Sequence, residues 1–66
     1  MNPKFPEVEV QLTGQDGNAF NIIGRVSRAL KQAGMPAEAT EFTNRAFSAG
    51  SYDELLQLAM ETVTVH

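Results

Sequence analysis

The feature that most narrows what this chain can fold into is a change of hydrophobic period inside VEVQLTGQDGNAFNIIGRV, residues 8–26. Ahead of the glycines, Val8, Val10 and Leu12 alternate with Glu7, Glu9 and Gln11, the period of two of a half-buried strand over about Glu7 to Thr13. Beyond them, apolar residues recur at helical spacing. A strand must therefore turn directly into a helix, with Gly14 to Asn18 as the turn. Gly14 and Gly17 permit positive φ there, and Asp16 or Asn18 offers an oxygen to the first free amides of the helix.

Helix one is expected from about Asn18 to Ala33. At about 100° per residue, Ile22, Ile23, Val26, Ala29, Leu30 and Ala33 share one arc, and Asn21, Arg25, Arg28, Lys31 and Gln32 lie opposite. Gly24 sits in its middle at a cost of about 1 kcal/mol relative to alanine, which marks it for close approach of another backbone. Gly34 supplies a left-handed cap, and Pro36 then opens helix two, with Glu38 near its positive end. Ala39, Phe42, Ala46, Phe47 and Ala49 make the inner face of that helix, Glu41 and Arg45 are placed for an i,i+4 pair, and Ala49-Gly50 ends it.

Ser51-Tyr52-Asp53-Glu54 reads as a capping box, in which Ser51 accepts from the amide three residues on and Glu54 reaches back to the amide of Ser51. Helix three carries Tyr52, Leu55, Leu56, Leu58, Ala59, Met60 and Val63 over an arc of about 200°, wide enough to be central to the core or shared with a partner. Thr62 to Val65 alternates again with β-branched residues, a short second strand. The expected fold is a small α+β domain of order β-α-α-α-β, with the terminal strands paired over three helices. Residues 1–6, with Pro3 and Pro6, form a flexible arm, and residues 7–66 form the domain. The paired strands turn Val8, Val10, Leu12, Val63 and Val65 toward the helices. Their direction stays open from sequence, with general frequencies favouring antiparallel.

Composition trims the functional classes. The chain has 66 residues, no cysteine, five Lys and Arg against eight Asp and Glu, and a formal charge of −3. It is near the lower size limit for a core without staples, so self-association is a natural supplement. Thiolate metal sites and disulfides are excluded, and no apolar run is long enough to cross a bilayer or to serve as a signal peptide. A cytoplasmic, non-membrane protein is expected.

Sites of chemistry are sparse. Asp16-Gly17-Asn18 lacks the later ligands of a calcium loop, and Gly14-x-x-Gly17 lacks the third glycine of a dinucleotide fingerprint. His66 is the single histidine and the last residue, which leaves no base for a catalytic triad and no metal cluster. The expectation is a protein that is not an enzyme and takes no cofactor and no metal. Phe5, Phe20, Phe42, Phe47 and Tyr52 have the helical spacing of core residues rather than of a stacking platform for single strands. Arg25, Arg28 and Lys31, spaced by three along helix one, are the sharp surface feature. They suit an ordinary solvated face, an acidic protein partner or nucleic acid. The helix, Gly34 turn and helix evoke helix-turn-helix geometry, but Glu38 and Glu41 would stand where base-reading residues sit.

The segments LTGQDGNAFNIIGRVSRALKQAG and SYDELLQLAMETVTV resemble a group of small uncharacterised proteins of bacterial, phage and prophage genomes. These share an LTG-x-DGNAF opening, a G-x-V-x-x-AL helix, and a SYD-x-LL segment before a valine-rich end. The resemblance covers residues 8–65 and implies a small helper protein on a mobile element, with no site residues. The functional expectation is a non-enzymatic protein–protein interaction module, self-associating through a strand edge or the broad face of helix three, with Val8, Val10, Leu56 and Met60 as contact residues. The alternative is a nucleic-acid accessory protein using Arg25, Arg28 and Lys31.

Overall fold

The computed structural model describes residues 3–12 and 19–66. Strand β1 (Phe5–Val10) leads to helix α1 (Ala19–Gln32), helix α2 (Pro36–Phe47), helix α3 (Tyr52–Thr62) and strand β2 (Val63–Val65). This is the expected small α+β order, with both strands paired in one two-stranded sheet. The turn, calcium-loop and glycine readings at 14–18 lie outside the described residues.

The two strands run parallel, with Phe5 opposite Val63, Glu9 opposite Thr64 and Val10 opposite Val65. The general excess of antiparallel pairs comes largely from hairpins, whereas these strands are joined by a three-helix crossover, so that preference does not apply. Three residues of β1 intervene between Phe5 and Glu9 where β2 has none. Pro6 sits in this irregular stretch, where its missing N–H breaks no ladder bond, and its carbonyl accepts from Thr64 Oγ1 at 2.8 Å. The strand thus starts inside the stretch read as an arm. Lys4 N donates to Glu61 O at 2.8 Å and its ammonium lies 3.7 Å from Glu38, so the end of that stretch is tied to α2 and α3.

The core collects Val8, Val10 and Leu12 from the first strand and its extension, Ile22, Ile23, Val26 and Leu30 from α1, Ala39, Phe42 and Ala46 from α2, Leu55 and Ala59 from α3, and Val63. Small residues at 39, 46 and 59 let the helices approach closely. Val65 is half-buried, and Ala33 is exposed rather than on the inner arc of α1. Gly34 takes φ +83°, the left-handed cap expected of it.

The start of α3 departs from the expected box by one residue. Ser51 Oγ accepts from Glu54 N at 3.1 Å, but the Glu54 carboxylate accepts from Gly50 N at 2.6 Å rather than from the amide of Ser51. Backbone at Ser51 is extended, and the carboxylate of Glu54 satisfies the amide of Gly50 in place of that of Ser51. Helix α2 stops at Phe47, two residues before Ala49, with Ser48 N bonded to Arg45 O. Glu41 and Arg45 make their i,i+4 contact at 4.0 Å.

Candidate functional site

The open edge of β1 is the starting point. His66 N donates to Val10 O at 3.0 Å, and Leu12 N donates to His66 O at 2.6 Å, so residues 10 and 12 turn their backbone groups to β2. Because a strand alternates, Glu9 and Gln11 turn theirs the other way, to an edge with no strand beside it among the described residues. Their side chains stand on the wet face, where Glu9 Oε1 meets His66 Nε2 at 3.2 Å.

Alongside that edge runs a groove of about 450 Å³, with Glu9, Val10 and Gln11 on one side and α1 on the other. The helix contributes Phe20, Asn21, Gly24, Arg25, Arg28, Ala29 and Gln32. The burial of Ile22, Ile23, Val26 and Leu30 fixes the rotation of α1, which turns this flank outward. Arg25 and Arg28 therefore share the wall of the groove. Lys31 is exposed but does not line it, so the three basic residues do not act as one row.

Gly24 has a different meaning from the one its sequence position suggests. A Cβ built there would meet no atom of the described residues within 4 Å, so none of the described elements needs the glycine. It leaves bare helix backbone open to the groove instead. Among the described residues, the cost of about 1 kcal/mol has no packing reason.

A second exposed surface adjoins the groove at Phe20. Phe20 and Phe47, expected in the core, are 70% and 62% exposed, and their rings lie 6.2 Å apart, tilted by 54°. Each follows the helical wheel. Phe47 comes one residue after Ala46, a step of about 100° that swings it off the face set by Ala39, Phe42 and Ala46. With Tyr52 they rim a shallow apolar dish floored by Ile23, Ala46 and Leu55. This signal was present in the spacing.

The residues expected to mediate self-association separate. Val8 and Val10 are 5% exposed and belong to the core, because their alternation places them under the sheet rather than on its edge. Leu56 is half-buried and Met60 is 51% exposed, so the wide arc of α3 is only partly covered by the fold. Among the described residues, no group of three His, Asp or Glu side chains is placed to hold a metal ion. No described helix is long and apolar enough to cross a membrane. No protein-family model matches the chain, and neither a curated protein nor a solved structure does.

Proposed function

We propose that the chain is a non-enzymatic protein-interaction module that docks an extended segment of another protein in the groove between β1 and α1. One observation carries this reading: the open backbone of Glu9 and Gln11 faces a helix flank left bare at Gly24. A strand edge offers a row of donors and acceptors to an incoming chain, and the missing Cβ lets that chain approach the helix. The resemblance to phage and prophage proteins fits a small adaptor carried on a mobile element.

Two substitutions at Gly24 test it against a set of peptides selected from a random displayed library on the parent chain. Gly24→Ala is expected to raise stability by about 0.5–1 kcal/mol, since it improves helix propensity and meets open space. Thermal melting reads that change. Gly24→Leu is expected to keep the fold and abolish capture of the selected peptides by filling the groove. Peptides that bind Gly24→Leu as well as the parent sit elsewhere and overturn the reading.

The exposed Phe20–Phe47 pair favours a second role, association of two copies through their aromatic patches. Sedimentation at increasing concentration is expected to show a dimer for the parent and a monomer for the double substitution Phe20→Ser and Phe47→Ser. A parent that stays monomeric at high micromolar concentration removes this role and leaves the groove untouched.

A further inference from the structure

We propose that the segment taken by the groove is acidic at every second position, and that it joins the sheet as a third strand on the open edge of β1. The inference rests on the docking role above and adds the chemistry of the ligand. An added strand lies about 4.8 Å from β1, and its side chains alternate between the helix side and the wet face. Those on the helix side meet the wall that holds Arg25 and Arg28. Arginine presents a planar fork of donors that matches a carboxylate, so acidic side chains at these positions gain charge-assisted hydrogen bonds.

The other face selects against charge of the same sign. There the added residues stand beside Glu9 and Gln11, with Glu7 further along the strand, and all three are exposed. Like charges directly across neighbouring strands destabilise the pair. Neutral or basic residues are therefore required between the acids. A uniformly acidic segment would gain on one face and lose on the other.

The same arrangement argues against nucleic acid as the occupant. A phosphate backbone in the groove would lie between arginines on one wall and Glu9 on the other, in a chain whose formal charge is −3. It would also leave the Glu9 and Gln11 amides and carbonyls without the matched partners that a peptide backbone supplies. Peptide backbone satisfies both walls at once.

The test is a titration of the isotope-labelled full chain, read at each amide. The probe is a capped eight-residue peptide alternating Glu and Thr. Its comparators are Glu and Thr in two blocks, the alternating peptide N-methylated at every second residue in each of the two phases, a Lys-Thr alternating peptide, and an eight-nucleotide thymidine strand. Binding of the alternating acidic peptide is expected to move the Glu9, Gln11 and Arg28 amides. The blocked peptide should bind more weakly, and one N-methylated phase should lose binding while the other keeps it. Arg28→Glu should weaken the acidic peptide about tenfold or more and gain affinity for the Lys-Thr peptide, which loss of fold would not produce.

Equal binding of alternating and blocked peptides, indifference to both N-methylation phases, or occupation of the same residues by the oligonucleotide in place of the peptide overturns the proposal. Library-selected peptides that fill the groove without acidic alternation sink this inference alone. Failure of every peptide, with Gly24→Leu indistinguishable from the parent, removes the docking role as well.

Discussion

Leu30→Ala is expected to remove most of the stability of the fold at room temperature. Leu30 is completely buried at the meeting of α1 with the rest of the core and is among the largest side chains so enclosed. Truncating a buried leucine costs about 2–5 kcal/mol through lost transfer energy and the cavity left behind. A core of this size supplies a net stability of only about 3–5 kcal/mol. The loss therefore takes most of the margin, and urea unfolding should show a native baseline that is short or missing. Leu30→Met conserves volume and should cost less than about 1.5 kcal/mol. Met60→Ala, at a half-exposed position, should stay within about 0.5 kcal/mol of the parent. A cooperative Leu30→Ala transition within 1 kcal/mol of the parent would contradict the packing described here.

What could be read in advance follows a physical division. The order of elements was legible because periods of two and of about 3.6 are written directly by burial, and because Gly34, Pro36 and Ser51 carry their own backbone chemistry. Val8, Val10 and Leu12 announced one face of a strand, and Ile22, Ile23, Val26 and Leu30 announced one face of a helix. Hydrophobicity alone does not give burial, because direction also counts. Phe20 and Phe47 lie off the wheel positions of their buried neighbours, and large apolar residues off the core face are candidates for contact rather than packing.

The groove was illegible for a different reason. It is built between residues 9–11 and residues 20–32, and its shape depends on how close α1 lies to the open edge of β1. No local pattern encodes that distance. Gly24 stands out by its position in the helix, yet whether its bare backbone meets a neighbour or open space depends on tertiary placement. Arg25, Arg28 and Lys31 look equivalent in sequence because they share a spacing of three. Arg25 and Arg28 line the groove and Lys31 does not, a difference that the spacing alone does not reveal.

The parallel pairing of the chain ends makes Val63→Asp the severest single change expected at the C-terminal strand. Helix α3 passes into β2 without a linker: Thr62 ends the helix, and Val63 is already extended, its N–H bonded to Ala59 O. Val63 is 1% exposed and lies opposite Phe5, so a carboxylate there is stripped of water with no partner. The cost is about 4 kcal/mol or more, comparable to the whole margin of the fold. The adjacent position supplies the contrast. Thr64 points away from the core, and Thr64→Ala loses only its hydroxyl bond to Pro6 O, a cost of about 1 kcal/mol. Circular dichroism and amide protection should therefore show Val63→Asp without a protected His66 amide and Thr64→Ala with one. If the aspartate were tolerated and the alanine were not, the alternation of β2 would be inverted. The face of β1 that meets the helices would then be inverted with it, and the edge that Glu9 and Gln11 present to the groove would no longer be the one available to a partner.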